Sequence, residues 1–152
     1  MRIAVGADLN GFEMKEVVKR HLEDLGHEVR DFGVERAEDV DYPDVAEPVA
    51  RAVASGEVER AVLVCGTGLG MAIVANKVPG VRATPVTDPY SAERAIKSNN
   101  AQVLCLGGKV IGPEVAKLLV DHWIGGKFAG GNSARKVAKI EALDRTRAET
   151  AG

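Results

Sequence analysis

The stretch Ala61-Val62-Leu63-Val64-Cys65-Gly66-Thr67-Gly68-Leu69-Gly70 decides the fold. Its first half, Ala61–Cys65, is a short apolar run rich in β-branched residues and predicts a buried strand. The glycines that follow predict a tight turn, and apolar residues from Met71 onward predict a helix. A buried strand, a glycine-rich turn and a helix in succession are typical of βαβ units built on a parallel sheet.

The same alternation continues on both sides of this stretch. Further strands are predicted at about 2–7, 28–32, 81–86 and 101–106, and further helices at about 12–25, from 42, at 90–98 and at 113–123. In the first strand-to-helix turn, Asn10 is predicted to cap the helix, with Glu13 completing a capping box. The pattern predicts an α/β fold: a three-layer, doubly wound, Rossmann-like sheet of five parallel strands.

The pattern changes after Trp123, where a glycine-rich linker leads into a polar helical segment at about 133–147. The apolar residues of this segment form only a narrow stripe, made of Val137, Ile140 and Leu143. We predict a single domain over residues 1–152, with an α/β core at 1–124 and a linker and C-terminal helical arm at 125–152. Such an arm usually packs on a partner surface, so we expect it to serve dimerisation.

Composition excludes several classes of protein. With 45% hydrophobic and 28% charged residues in a chain of 152, the protein has the balance of a globular domain. A formal charge of −2 argues against nucleic-acid binding through a basic surface. We expect no membrane association, because no apolar run approaches the ~20 residues needed to span a bilayer. The N-terminus begins with a strand pattern rather than a signal peptide, so we predict a cytoplasmic location.

The residues that could carry chemistry follow predicted strands. Asp8, Cys65 and Asp88 each come directly after a strand or end one, and parallel strands bring such positions to one edge of the sheet. The backbone N–H groups of the glycine-rich turn and the helix dipole would stabilise a thiolate and a developing oxyanion. This combination suits proton transfer beside a carbonyl, with Cys65 or a carboxylate such as Asp8 as the base. The same turn also occurs in α/β proteins for packing alone.

Other chemistries are less well supported. None of the three histidines, His21, His27 and His122, follows a predicted strand, which disfavours a cysteine–histidine hydrolase. The two cysteines are too few for a disulfide framework, and no ligand spacing suggests a metal site. A nucleotide-binding module is an alternative, but the turn reads G-x-G-x-G rather than G-x-G-x-x-G and no P-loop lysine follows it.

Several blocks together resemble the ribose-5-phosphate isomerase B family, which includes the LacAB galactose-6-phosphate isomerases. The blocks extend over nearly the whole chain: Gly6-Ala7-Asp8, Asp41-Tyr42-Pro43, Cys65-Gly66-Thr67-Gly68, Ala75-Asn76-Lys77-Val78-Pro79-Gly80-Val81-Arg82, Ser91-Ala92-Glu93-Arg94 and Asn99-Asn100-Ala101. The resemblance implies an aldose–ketose isomerase of a phosphorylated sugar that needs no metal or organic cofactor. It also implies a homodimer, or a dimer of dimers, with active sites shared between subunits.

The resemblance assigns roles to individual residues. Cys65 would be the base that moves a proton between C1 and C2 through a cis-enediolate, Thr67 would handle the hydroxyl proton, and Asp8 would contact substrate oxygens. Asn99 would reach in from the neighbouring subunit. The substrate-binding set would be Tyr42, Gly66, Gly68, Gly70, Ser98 and Asn99. The phosphate-binding set would be Lys109, Asn132, Arg135 and Lys136, where the family has arginines at three of the positions.

Two departures bear on the substrate. Leu9 and Ser98 stand where family members acting on ribose 5-phosphate have histidines, the second of which is assigned to opening the furanose ring. A tetrose 4-phosphate has its 4-oxygen esterified and stays open-chain, so we expect D-erythrulose 4-phosphate and D-erythrose 4-phosphate as the preferred pair. The runs at 98–102 and 131–134 also resemble the D-erythrulose-4-phosphate isomerases. The alternatives are a ribose-5-phosphate isomerase and an inactive partner subunit.

Overall fold

The computed structural model describes residues 1–151, and the side chains of residues 1–147. In chain order its elements are β1 (Arg2–Ala7), a 3₁₀ turn (Leu9–Gly11), α1 (Phe12–Asp24), β2 (Glu28–Asp31), α2 (Tyr42–Ala54), β3 (Arg60–Cys65), α3 (Leu69–Ala75), β4 (Ala83–Pro85), α4 (Pro89–Lys97), β5 (Val103–Gly107), α5 (Pro113–Ile124) and α6 (Asn132–Ala151).

The five strands form one parallel sheet in the order β2-β1-β3-β5-β4. The predicted doubly wound α/β fold is therefore confirmed. From β1 the chain moves to β2 at one edge, and after β3 it moves to β4 at the other edge and returns to β5 between β3 and β4, so the direction of winding reverses between β1 and β3. In sheets of this kind, ligands bind in the crevice at that reversal, beyond the carboxyl ends of the strands. There Ala7 of β1 lies opposite Val64 of β3, one residue before Asp8 and Cys65 respectively.

Helices cover both faces of the sheet, giving the three predicted layers. On one face, α1, α4 and α5 pack on alternate strand residues such as Val5, Val64 and Leu106. On the other face, α2 and α3 pack on the intervening residues, and Cys65 and Cys105 belong to this second apolar cluster. The strands are buried on both faces because their side chains alternate between the two layers, which explains their continuous apolar sequence.

Two local predictions are wrong. Asn10 does not cap α1: the side chain of Asp8 accepts the N–H of Gly11 at 3.1 Å, and the backbone of Gly11 leads directly into the helix. The fourth strand is shorter than predicted, because the N–H of Arg82 donates to the side chain of Gln102 rather than to a neighbouring strand.

A buried ion pair fixes the segment that follows β2. Lys15 is fully buried, and its Nζ donates to the two carboxylate oxygens of Asp31 at 2.9 and 2.8 Å and also to the carbonyl of Val34. The neighbouring residue, Gly33, accepts the N–H of Ala7 at 2.7 Å. The pair therefore holds the chain after β2 against the end of β1, one residue before Asp8.

The C-terminal arm is helical, as predicted, and contacts its own chain. Asp144 accepts the N–H of Gly80 at 2.9 Å, and Glu141 lies 3.6 Å from Arg82. Val137 is buried, whereas the other residues of the predicted stripe, Ile140 and Leu143, are 40% and 66% exposed. Within residues 1–151, no helix is both long and apolar enough to cross a membrane.

Candidate active site

A cleft of about 390 Å³ opens beyond the carboxyl ends of β1 and β3, where the strand order reverses. It contains the only thiol among the predicted site residues, together with a carboxylate, two hydroxyl groups and an amine. The residues that line it are Asp8, Asn10, Tyr42, Cys65, Gly66, Thr67, Gly70 and Lys109. Of the predicted site, the fold thus brings together Asp8, Tyr42, the glycine-rich turn and Lys109 around Cys65.

Cys65 ends β3 and lies at the floor of the cleft. Its side chain is 5% exposed, and its Sγ accepts a hydrogen bond from the N–H of Gly68 at 3.1 Å. Thr67 is exposed at the rim, and its Oγ1 accepts the N–H of Leu69 at 3.2 Å. The turn therefore directs one backbone donor, the N–H of Gly68, at the thiol, and Thr67 places its hydroxyl group at the rim of the cleft.

Close packing explains the glycines of this turn. Gly68 has a φ of +82°, in the left-handed region, and a Cβ there would lie 3.1 Å from the carbonyl oxygen of Leu106. A Cβ on Gly70 would overlap the ring of Tyr42, which forms the opposite wall of the cleft. Tyr42 therefore approaches the turn as closely as it does only because Gly70 has no side chain.

The loop after β5 carries Lys109 to the same cleft. The N–H of Gly108 donates to the carbonyl of Cys65 at 2.8 Å, and the N–H of Lys109 donates to the carbonyl of Gly66 at 3.0 Å. These bonds continue the pairing of β3 with β5 past the strand ends. They fix the backbone of Lys109 beside the glycine-rich turn, and its side chain is exposed at the cleft.

Asp8 forms hydrogen bonds within the protein and also faces the cleft. The residue is 8% exposed; its Oδ1 accepts the N–H of Gly11, and its backbone N–H donates to the carbonyl of Val64 at 3.3 Å. The carboxylate nevertheless lines the cleft. Its position is thus fixed from two directions, which suits a group that orients a ligand hydroxyl.

A larger cavity of about 550 Å³ lies beside the cleft and shares Asn10 with it. Its lining is mostly apolar: Leu9, Asn10, Phe12, Glu13, Met14, Val17, Ala37, Gly108, Ile111, Gly112 and Pro113. It contains no thiol and no cation. The smaller cleft, which combines a nucleophile, backbone donors and an amine, is therefore the candidate active site despite its size.

Residues outside the cleft have structural partners. Asp88 caps α4, and hydrogen bonds from Ser91 lower the pKa of its carboxyl group. His21 pairs with Asp121 at 2.6 Å between α1 and α5. No histidine lines the cleft as the structure describes it.

Cys105 is fully buried, as expected of a small apolar residue. Burial raises the pKa of its thiol, and the nearby Cys65 raises it further, so Cys105 stays neutral. Within the described part of the chain, no group of three or more His, Cys, Asp or Glu side chains could hold a metal ion.

The remaining predicted site residues are not brought into this cleft by their own chain. Ser98 ends α4 and Asn99 follows it, so both precede β5 and lie at the amino edge of the sheet, opposite Cys65. The predicted phosphate-binding residues of α6 are exposed and lie outside the cleft: Asn132, Arg135 and Lys136. Contacts of α6 with Gly80 and Arg82, which precede β4, keep the arm near that same amino edge.

Sequence reasoning missed Asn10 as a residue of the cleft, having assigned its side chain to helix capping. The available signal was its place in the same strand-to-helix turn as Asp8. The patterns of a capping residue and of a ligand-binding residue coincide there, because Asn serves both purposes in such turns.

Comparison with known proteins agrees with this geometry. Residues 3–140 match the Ribose/Galactose Isomerase family. The chain is 46% identical to a ribose-5-P isomerase B of Listeria innocua, over 95% of this chain and 98% of the relative. It is 48% identical to a D-erythrulose-4-phosphate isomerase of Pectobacterium atrosepticum, over 92% and 93% of the two chains. The solved structure of the Clostridium thermocellum ribose-5-phosphate isomerase B superposes with a TM-score of 0.95 at 43% identity, covering 97% of this chain and 99% of that one.

The parallel α/β fold and these similarities therefore place the protein among the α/β isomerases. The chain belongs to the ribose/galactose isomerase family, and it is a sugar-phosphate aldose–ketose isomerase. Its relatives carry the names of two different substrates at nearly equal identity, so family membership alone does not distinguish a four-carbon from a five-carbon sugar.

Proposed function

We propose that this enzyme interconverts D-erythrulose 4-phosphate and D-erythrose 4-phosphate, with Cys65 as the base. The observation that carries the proposal is the cleft itself: the thiol accepts the Gly68 N–H, and no histidine lines the surrounding wall in the described structure. A substrate that is already open-chain needs a base and an anion hole, but it needs no imidazole to open a ring.

The proposed reaction uses groups that share the cleft. The phosphate binds beside Lys109, and the thiolate of Cys65 takes the proton from the carbon next to the carbonyl. Backbone N–H groups of the glycine-rich turn stabilise the enediolate oxygens, and Thr67 passes the hydroxyl proton. Cys65 then returns its proton to the neighbouring carbon. No bond to the enzyme forms, and the two carbons exchange oxidation level through the proton alone.

A homodimer with shared active sites completes the proposed site. Ser98 and Asn99, at the amino edge of the sheet, can serve only a cleft on a second chain. The exposed cations Arg135 and Lys136, on an arm that lies near that edge, would supply further charge to the partner's phosphate. Support for a subunit contact also comes from Ile73, Leu69 and Leu143, which are 62%, 56% and 66% exposed.

A ribose-5-phosphate isomerase is the second candidate, favoured by the name of the Listeria relative. Steady-state kinetics on both sugar phosphates tests the choice. We expect a higher kcat/KM for the tetrose phosphate, because only the ribose phosphate must first lose its ring form. A higher kcat/KM for ribose 5-phosphate would overturn the substrate assignment and leave the isomerase class intact.

A further inference from the structure

Asn10 lines the cleft, and within the described side chains its carboxamide has no hydrogen-bond partner. The Asp8 carboxylate, not Asn10, accepts the N–H of Gly11 and caps the 3₁₀ turn, and α1 begins after Gly11 without a side-chain cap. In the part of the chain whose side chains are described, the Asn10 amide makes no hydrogen bond, and the residue is exposed. An exposed asparagine that does not cap its helix is available to a ligand.

The backbone holds Asn10 at a defined place beside the thiol. A Cβ built on Gly66, the residue after Cys65, would lie 3.6 Å from Cβ of Asn10 and 3.7 Å from Cδ of Lys109. The side chains of Asn10 and Lys109 therefore flank Gly66 together. A Cβ on Gly108 would lie 2.6 Å from the carbonyl oxygen of Asn10, so the two loops are in close contact and neither shifts independently.

We propose that the Asn10 carboxamide binds the C3 hydroxyl of the sugar phosphate and so determines the specificity of the enzyme for substrates that carry this hydroxyl. This inference rests on the proposed function, in which proton transfer occurs at C1 and C2 beside Cys65 and the phosphate binds beside Lys109. Asn10 lines the same cleft as both groups, and its Cβ lies beside Gly66 together with Cδ of Lys109. A carboxamide can either donate to a hydroxyl oxygen or accept from its proton, whereas an ammonium can only donate and a carboxylate can only accept.

The test compares a substrate with its analogue lacking the C3 hydroxyl. For Asn10→Ala, kcat/KM on the tetrose 4-phosphate should fall by about 3- to 12-fold, as expected for one lost hydrogen bond between neutral groups. On the 3-deoxy-tetrose 4-phosphate the same variant should match the wild type within about twofold, because the bond is already absent. Equal losses on both substrates, or no loss on either, would overturn the proposal.

Two further variants serve as controls for this test. Asn10→Leu keeps the size of the side chain without its polar atoms and should reproduce the pattern if Asn10→Ala fails to fold. Glu13→Ala, an exposed change on the neighbouring turn of α1, should leave both rates unchanged. The substrate preference of the wild type tests the proposed function on its own. If the wild type prefers ribose 5-phosphate, the variants are compared on ribose 5-phosphate and 3-deoxyribose 5-phosphate, which also tests the C3 contact.

Discussion

The N–H of Gly68 donates to Sγ of Cys65 at 3.1 Å, so the thiol at the end of β3 is bonded to the turn that starts α3. A thiol held in this way cannot rotate freely away from the cleft. The position of this one sulfur atom is thus fixed by the end of β3 and by the turn that leads into α3.

Replacing Cys65 by Ser should lower kcat by about 10²- to 10⁴-fold, because a hydroxyl is a far weaker base than a thiolate in the same position. Thermal unfolding and substrate binding should change little, since the two side chains are nearly equal in size. Cys105→Ala is the matched control: it removes the second buried thiol, lowers stability and keeps kcat. A Cys65→Ser variant with wild-type kcat would disprove the assignment of the base.

Introducing the absent histidines should shift the enzyme toward the ring sugar. The double variant Leu9→His, Ser98→His should raise kcat/KM for ribose 5-phosphate by tenfold or more, on the order of what a positioned acid–base group contributes. The value for the tetrose phosphate should stay the same or fall, because that substrate has no ring to open. Each single variant serves as a control. A parallel rise on both substrates would contradict the open-chain explanation.

Lys109→Ala should weaken phosphate binding. A hydrogen bond to a charged group contributes about 1.5–3 kcal/mol, so KM for the sugar phosphate should rise about 10- to 100-fold while kcat stays within threefold. Slow turnover of the unphosphorylated sugar should be unaffected. Lys117→Ala, on α5 and 3.3 Å from Glu114, is the control cation and should leave KM unchanged. An effect on kcat alone would assign Lys109 to the chemical step instead.

Subunit mixing tests the shared site. Cys65→Ala and Asn99→Ala homodimers should both be impaired, whereas a mixed dimer regains one site with both residues intact. Random co-assembly makes half of the dimers mixed, so roughly a quarter of wild-type activity should return. Two variants of the same residue, Cys65→Ala with Cys65→Ser, should give no recovery. Absence of recovery in the first mixture would place Asn99 outside the partner's site.

Stability should depend on pH through Asp31. Burial acts to raise the pKa of its carboxyl group, but the hydrogen bonds from Lys15, Gly33 and Lys19 outweigh it and lower the pKa. A lowered folded-state pKa means that the stabilisation is complete above the unfolded value of about 3.9 and is lost as the pH falls below it.

Denaturant unfolding of Asp31→Asn checks this linkage. At pH 7 the variant should lose about 1.5–3 kcal/mol, because the buried Lys15 loses its hydrogen bonds to a carboxylate and keeps Glu16, 3.2 Å away, as an ion-pair partner. The difference from the wild type should shrink as the pH drops below about 4, because the Asp31 carboxyl of the unfolded chain becomes protonated there while that of the folded protein, with its lowered pKa, is still ionised. Asp39→Asn, an exposed change in the following loop, should alter neither value. If the difference in unfolding free energy between the variant and the wild type stays constant at acidic pH, Asp31 is excluded as the titrating group.

Local pattern predicted most of the fold for a physical reason. Runs such as Ala61–Cys65 are apolar throughout because both faces of a central parallel strand are buried, and the helices between them show one apolar face. The exceptions occur where side chains replace backbone partners. Gln102 accepts the N–H of Arg82 and shortens β4. Asp8 caps a 3₁₀ turn that precedes α1, so Gly11 rather than Asn10 is the N-cap of that helix.

By itself, the sequence determined the α/β class, the strand that ends in Cys65 and the glycine-rich turn after it, because hydrophobic period and glycine placement act over short distances. Only the tertiary structure decided which of the named residues meet. The pairing of β3 with β1 and β5 brings Asp8 and Lys109 to the thiol, while Asn99 stays at the opposite edge of the sheet. Such proximity depends on strand order, a long-range property that no local pattern specifies.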